Sequence, residues 1–142
     1  MVKQIKKEFK TIAIYSSIKS QKVSQIALQI CEILNSLNKK ILLCKSSSFT
    51  EAKERSYTNK YIVDNADLVI SIGGDGTLLS AARQFGKEGL PILGINLGSL
   101  GFLTDVQPEE ITQSLQEVVN GNCVYDERFF LEAFVNEGKS FN

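Results

Sequence analysis

The chain has 142 residues, of which 43% are hydrophobic and 23% charged, and it contains neither histidine nor tryptophan. Sixteen Lys and Arg residues balance sixteen Asp and Glu residues, which excludes the broad basic surface that attracts nucleic acid or anionic lipid. The lack of histidine excludes Ser-His-Asp and Cys-His relays and His-ligated zinc within this chain. We therefore expect a general base to be a carboxylate or, less readily, Lys, Tyr or Cys.

The three cysteines, Cys31, Cys44 and Cys123, lack the spacing of a metal site or a C-x-x-C motif. Their odd number and wide separation predict buried thiols in a reducing compartment. The basic N-terminus is not followed by an apolar segment long enough for a signal peptide or a membrane span. We expect a cytoplasmic protein without a membrane partner.

Short apolar runs alternate with segments of helical periodicity along most of the chain. The short runs end at polar residues or glycine and predict buried strands over 11–15, 41–44, 68–72 and 92–95. The periodic segments predict helices over 19–38, from Thr77 or Leu78 to Gly86, and over 108–121. The polar residues 45–60 carry no motif.

Strands that alternate with helices predict parallel β-α-β units, and hence an α/β fold with an open, mostly parallel sheet and helices on both faces. The rhythm changes after residue 122, where two strand-like pieces, near 124–127 and 129–136, follow each other without a helix. These pieces predict either an edge hairpin of the same sheet or the start of a β-rich second domain. We expect an α/β nucleotide-binding domain over 1–122 and the beginning of that second domain over 123–142.

The first segment that can carry chemistry is Gly73-Gly74-Asp75-Gly76-Thr77, between a buried strand and a helix. Ligands of open α/β sheets bind at the carboxyl ends of the strands, and glycines let backbone N–H groups approach phosphate oxygens. The negative charge of an aspartate in such a loop repels phosphate. We therefore expect its carboxylate to contact a hydroxyl or a metal instead, as the general base of a phosphoryl transfer does. The structural alternative is a tight turn in which Asp75 caps the helix.

The second segment, residues 94–105, leaves the neighbouring strand and should reach the same crevice. Asn96 can donate and accept hydrogen bonds there, while Gly98 and Gly101 permit close approach. Composition alone favours Phe102 as a core aromatic, and the alternative is a flat apolar face for a nucleobase.

Together the two segments are far more specific than either one separately. Gly73-Gly74-Asp75-Gly76-Thr77, Asn96-Leu97-Gly98 and Gly101-Phe102-Leu103-Thr104 resemble the bacterial NAD kinase family, and the resemblance covers roughly residues 11–135. It implies transfer of a phosphate from ATP, or from polyphosphate, to the adenosine-ribose 2′-hydroxyl of NAD, with a divalent metal, Mg²⁺.

The resemblance also implies roles for single residues. Asp75 matches the aspartate that accepts the 2′-hydroxyl proton, and Gly74 and Gly76 flank it. Gly101, Phe102 and Leu103 match the segment that approaches the adenine side of NAD.

The chain departs from the family pattern near its C-terminus. The family's later Asn-Glu or Asn-Asp pair and its Thr-Pro-Thr-Gly-Ser-Thr-like segment have no proper match, because Asn136-Glu137 precedes a Gly-Lys-Ser turn and predicts a hairpin tip. This departure predicts an incomplete kinase. The alternatives are an inactive nucleotide-binding fragment or module and a lipid or sugar kinase with a related Gly-Gly-Asp-Gly loop.

The aromatic-rich segment 129–134 predicts an apolar surface without partners, and hence a homo-oligomer. Its members are Phe129, Phe130, Leu131 and Phe134.

Overall fold

The computed structural model describes residues 2–5, 7–48, 55–99, 101–104, 106–135 and 139–141. The strands are β1 (Val2–Ile5), β2 (Thr11–Tyr15), β3 (Lys40–Cys44), β4 (Ser56–Tyr57), β5 (Leu68–Gly73), β6 (Ile92–Asn96), β7 (Cys123–Asp126), β8 (Ala133–Val135) and β9 (Lys139–Phe141). The α-helices are α1 (Gln21–Ser36), α2 (Asn59–Asn65), α3 (Asp75–Phe85) and α4 (Ile111–Val119).

Five strands form one parallel sheet in the order β4-β3-β2-β5-β6. The chain runs outward from β2 through β3 to β4, returns to place β5 on the other side of β2, and then adds β6. The direction of strand order therefore reverses between β2 and β5. In an open α/β sheet, the crevice at such a reversal is the usual ligand site.

Helices cover both faces of this sheet, as predicted. On one face α1 and α4 pack on alternate residues of β2 and β5, including Ile12, Ile14, Ile70 and Ile72. On the other face α2 and α3 cover the intervening residues of the same strands, together with Leu42 and Cys44 of β3. Because β5 is buried along its whole length, its sequence is a continuous apolar run without alternation.

Two elements between β3 and β5 were not predicted. The strand β4 has only two residues, and the helix α2 has seven, of which Ile62 is the one that is buried. Such short elements carry too little periodicity to be read from sequence. The helix α2 is instead fixed locally by Thr58, whose side chain accepts a hydrogen bond from the Tyr61 backbone N–H.

The helix predicted over 108–121 is shorter than expected. Residues Pro108–Glu110 form a 3₁₀ turn, and the α-helix begins at Ile111. Proline and the acidic pair occupy the turn that leads into the helix, where the Glu110 side chain accepts a hydrogen bond from the Gln107 backbone N–H. The turn after the helix passes through Gly121, whose φ is +83°.

The strands after residue 122 lie outside the five-stranded sheet. The strand β7 pairs antiparallel with β1, and β8 pairs antiparallel with β9. Neither pair is hydrogen-bonded to the main sheet in the part of the chain that the structure describes, which rules out the predicted edge hairpin of that sheet. The strand β1, absent from the predicted elements, is stabilised by this long-range pairing.

None of the three cysteines forms a disulfide, and Cys44 is buried whereas Cys31 and Cys123 are half-buried. No helix among the described residues combines the length and apolar character needed to cross a membrane.

Candidate functional site

The loops after β2, β5 and β6 meet at the carboxyl edge of the sheet, beside the reversal of strand order. The Ser16 hydroxyl donates to the Ile72 carbonyl oxygen over 2.6 Å and so joins the ends of β2 and β5. The Leu97 backbone N–H donates to the Gly73 carbonyl oxygen over 3.1 Å and joins the ends of β5 and β6. The two predicted glycine-containing loops therefore lie side by side, as expected.

Helix α3 begins at Asp75, two or three residues earlier than predicted, with Gly74 as its N-cap. The first intrahelical bond runs from the Leu78 N–H to the Gly74 carbonyl oxygen. The N–H groups of the first turn therefore have no acceptor within the helix, and they carry its positive dipole end. Asp75 does not cap the helix with its side chain, so the tight-turn reading of this aspartate is wrong.

Two glycines of the loop leave room that a side chain would fill. A Cβ built on Gly74 or on Gly76 would meet no atom within 4 Å. The backbone at these positions is accessible to a ligand, as anion binding at a helix N-terminus requires.

Gly73 has a different reason to be glycine. A Cβ at this position would overlap the Thr77 side chain, whose Cβ would lie 2.6 Å away. Thr77 is buried, and its hydroxyl shares a hydrogen bond of 2.7 Å with the Ser17 hydroxyl of the loop after β2. The close approach of Gly73 to Thr77 thus lets the first turn of α3 lie against that loop.

The Asp75 carboxylate is held by the second predicted loop. Its Oδ2 accepts from the Phe102 backbone N–H over 2.9 Å, and its Oδ1 accepts from the Leu103 N–H over 3.0 Å. These two bonds, with a smaller contribution from the Thr104 N–H, lower the pKa of the Asp75 carboxyl below its ordinary value. The carboxylate is therefore ionised at neutral pH, and two of its roughly four lone-pair sites are used by the two bonds.

Asn96 organises the second loop from inside. It is buried, its Oδ1 accepts from the Gly98 N–H over 2.7 Å, and its Nδ2 donates to the Thr104 hydroxyl over 3.1 Å and to the Ser99 carbonyl oxygen. The amide groups of Asn96 that were expected to face a ligand thus bind Gly98, Ser99 and Thr104 instead.

Phe102 is 94% exposed, so its prediction as a core aromatic is wrong. Its backbone N–H is bonded to Asp75, which fixes the main chain while the ring stays in solvent. A large aromatic ring exposed beside a carboxylate is available to stack on a planar ligand.

Two residues at this edge were not predicted from sequence. Ser17 contacts Thr77 as described, and the Lys22 ammonium of α1 donates to the Leu97 carbonyl oxygen. The one signal that could have found Ser17 is its position directly after a buried strand, at the edge where ligands bind.

Among the described residues no group of three His, Cys, Asp or Glu side chains could hold a metal ion. Asp75 is a carboxylate at this edge, and both of its oxygens accept backbone N–H groups. This donor set does not fit a metal held by protein ligands alone. Asn136 and Glu137 lie outside the described residues, as do Leu100 and Asp105 of the second segment and the side chain of Phe134.

Comparison with known proteins shows which family the chain resembles. An NAD kinase of Psychrobacter arcticus is 33% identical over 92% of this chain, and one of Marinobacter nauticus is 35% identical over 90% of it. The chain spans 42% and 44% of these two relatives, which is less than half their length. An NAD kinase of Pseudomonas putida is 49% identical over 78 residues.

Among solved structures, the chain is similar to the crystal structure of yeast NADH kinase complexed with NADH. The TM-score is 0.66 and the identity 21%, over 82% of this chain and 38% of that one. At this identity the likeness shows the α/β fold. Residues 2–123 match the family described as the ATP-NAD kinase N-terminal domain, so the chain belongs to that family.

Proposed function

We propose that this chain is the part of an NAD kinase that carries the general base and the phosphate-facing loop. In this reaction the γ-phosphate of ATP, or a phosphate of polyphosphate, passes to the adenosine-ribose 2′-hydroxyl of NAD. The observation that carries the proposal is the position of Asp75, an ionised carboxylate at the first residue of α3, beside the reversal of strand order. Membership of the ATP-NAD kinase N-terminal domain family supports the choice of substrates.

The step assigned to Asp75 is proton transfer. As the 2′-oxygen forms its bond to the γ-phosphorus, the bond from that phosphorus to the bridging oxygen breaks and ADP leaves, while the hydroxyl proton passes to the carboxylate. A carboxylate with a lowered pKa is a weak base in the ground state, so it accepts the proton once the bond to phosphorus is forming. The N–H groups at the start of α3 stabilise the charge on the phosphoryl oxygens.

We assign binding roles to the residues around this carboxylate. The backbone that faces the phosphates comes close to the ligand at Gly73, Gly74, Gly76 and Thr77. The ring of Phe102 stacks on the adenine, and Leu103 contacts the adenine beside it. Gly101 and Asn96 support ligand binding indirectly. Gly101 lies against the Asp75 carboxylate, and the side chain of Asn96 holds the loop after β6 in its conformation.

A divalent cation, Mg²⁺, belongs to this proposal as a companion of the nucleotide. Since the described residues do not fit a protein-held metal, the phosphates of ATP are its ligands.

The alternative function is nucleotide binding without transfer. The family match over residues 2–123 and the NAD kinase relatives do not favour it. A lipid or sugar kinase is disfavoured by the family match.

Acceptor competition tests the proposal. The chain is incubated with ATP labelled at the γ-phosphate, Mg²⁺ and one acceptor: NAD, NADH, NAD lacking the 2′-hydroxyl, diacylglycerol or fructose 6-phosphate. We expect label on NAD and none on the 2′-deoxy analogue or the lipid and sugar acceptors. Label on the 2′-deoxy analogue, on the lipid or on the sugar would contradict the proposal, and binding of NAD by calorimetry without any labelled product would support the alternative function.

We further propose a cytoplasmic protein and a homo-oligomer. The odd number and wide separation of the three cysteines support a reducing compartment. Exposed Phe129, Phe130 and Leu131 support self-association. Sedimentation at high micromolar concentration tests this, and a monodisperse monomer would contradict it.

A further inference from the structure

The loop after β6 donates hydrogen bonds to both oxygens of the Asp75 carboxylate. The two donors are the backbone N–H groups of consecutive residues, Phe102 and Leu103, and each takes a different oxygen. We call this pair of N–H groups the Asp75 cradle. A carboxylate bonded at one oxygen can still rotate about its terminal torsion, whereas one bonded at both is held in a single plane.

Gly101 lies directly against the held carboxylate. A Cβ built on Gly101 has as its three nearest neighbours atoms of the Asp75 carboxyl group, with Cγ at 2.8 Å and Oδ2 at 2.9 Å. Real Cβ atoms do not approach other atoms so closely. Because the next two residues supply the cradle, the loop cannot retreat from this clash without breaking the bonds of the cradle.

A Cβ would also clash at Gly73, Gly94 and Gly121, but with atoms of Thr77, Thr104 and Lys7 and not with Asp75. A Cβ on Gly74 or Gly76 meets nothing, and one on Gly86 finds ordinary contacts of 3.5 Å or more. Gly101 is therefore the glycine whose missing side chain determines where the Asp75 carboxylate lies.

We propose that Gly101 and the Asp75 cradle are a positioning element: they fix the orientation in which the Asp75 carboxylate meets the acceptor hydroxyl. This inference rests on the proposed function for its catalytic meaning, while the cradle itself can be tested without any substrate. Gly101 and the backbone N–H groups of Phe102 and Leu103 act on the reaction through Asp75 and are not catalytic groups.

The cradle has a consequence for the usual isosteric variant. In Asp75→Asn one oxygen becomes an NH₂ group, which can donate but not accept. One of the two backbone N–H groups would then face another donor and lose its bond. Asp75→Asn therefore removes the base and also loosens the loop, whereas Gly101→Ala moves a carboxylate that stays intact.

The charged side chains near the cradle do not explain why the pKa of the Asp75 carboxyl is lowered. Arg83 lies in the last turn of α3, and the Lys22 ammonium is bonded to the Leu97 carbonyl oxygen. Neither forms an ion pair with Asp75 in the part of the chain that the structure describes. Backbone donors thus account for the lowered pKa of this carboxyl, which a displaced carboxylate would not share.

Carbon-detected NMR of the Asp75 carboxyl group tests the proposal on the 142-residue chain. In the unmodified chain we expect Asp75 to titrate below the ordinary aspartate value of about 3.9. In Gly101→Ala it should titrate close to that value, and the amide proton signals of Phe102 and Leu103 should no longer follow its titration. Gly86→Ala is the matched control and should titrate like the unmodified chain. A folded Gly101→Ala variant with unchanged titration and amide signals would overturn the proposal.

A second measurement decides the matter if Gly101→Ala does not fold. Hydrogen exchange of the Phe102 and Leu103 amides is compared between the unmodified chain and Asp75→Asn. We expect at least one of the two amides to exchange roughly tenfold faster in the variant, because a hydrogen bond to a charged acceptor is lost. Unchanged exchange at both amides would overturn the proposal. Neither measurement involves NAD or ATP, so failure of the cradle is distinguishable from failure of the proposed function.

Discussion

The Asp75 carboxylate accepts the backbone N–H of Phe102 across 2.9 Å, although the two residues are 27 positions apart in the chain. This bond links the first residue of α3 to the loop that follows β6. It holds the main chain at Phe102 while the aromatic ring remains exposed. One hydrogen bond thus sets the relative position of the proposed base and the proposed adenine contact.

Replacement of Phe102 by alanine should weaken NAD binding and leave stability unchanged. The exposed ring contributes little to folding, whereas aromatic stacking on a base is worth about 1–3 kcal/mol, or roughly five- to 150-fold in the dissociation constant. Calorimetric titration with NAD measures this effect. Phe129→Ala, which removes another exposed ring outside the site, is the control and should bind NAD normally. Equal affinity of both variants would remove Phe102 from the binding site.

Replacement by alanine should lower the free energy of unfolding much more at Leu34 than at Leu28, although both residues belong to α1. Leu34 is fully buried, whereas Leu28 is 62% exposed. We expect Leu34→Ala to lower the free energy of unfolding by about 2–5 kcal/mol and Leu28→Ala to change it by less than about 0.5 kcal/mol. Urea unfolding checks both values. Similar losses in the two variants would show that the helix packs on a different face.

Replacement of Ser71, in the middle of β5, by alanine should stabilise the chain. Its buried hydroxyl has no hydrogen-bond partner among the described residues, and such a group costs about 1–3 kcal/mol. Ser71→Ala should therefore raise the free energy of unfolding by about 1 kcal/mol. Ser16→Ala is the matched control and should lower it, because the Ser16 hydroxyl bonds both Ile72 and Ile18. A loss of stability in Ser71→Ala would contradict this reading of β5.

The pair formed by Glu8 and Lys39 should make stability depend on pH. The hydrogen bond and the charge of Lys39 lower the pKa of Glu8 from its ordinary value of 4.5. A depressed carboxyl pKa gives stability that is fully present above the ordinary value and is lost as pH falls through the lower folded-state pKa. Glu8→Gln should therefore destabilise the chain at pH 7, and the difference should shrink toward pH 3.

Urea unfolding at pH 7, 5 and 3 measures this dependence. Asp64→Asn serves as the control, because Asp64 forms an exposed ion pair with Lys60 that contributes little. A constant difference between Glu8→Gln and the unmodified chain at all three pH values would exclude the pair as its source.

The elements that were predicted correctly are those with strong local patterns. The four long strands of the sheet and α1 follow apolar runs and helical periodicity, and the α/β fold follows from their alternation. The strand β1 could not be found in this way, since it depends on pairing with β7 at the other end of the chain.

The sequence predicted where the two loops of the site lie but not which groups contact each other there. Glycine spacing placed both loops at one edge of the sheet, yet the start of α3 and the exposure of Phe102 depend on which backbone groups the Asp75 side chain binds. Local sequence carries no signal for that choice. The same limit hid Ser17, whose partner Thr77 is 60 positions away.

The rate of NADP formation by the chain tests the central claim most directly. The unmodified chain, Asp75→Asn and Asp64→Asn are assayed side by side with NAD, ATP and Mg²⁺, after circular dichroism has shown that all three are folded. A positioned general base contributes about 10²–10⁴-fold, so we predict a loss of that size in Asp75→Asn and none in Asp64→Asn. Full activity in folded Asp75→Asn would contradict the account.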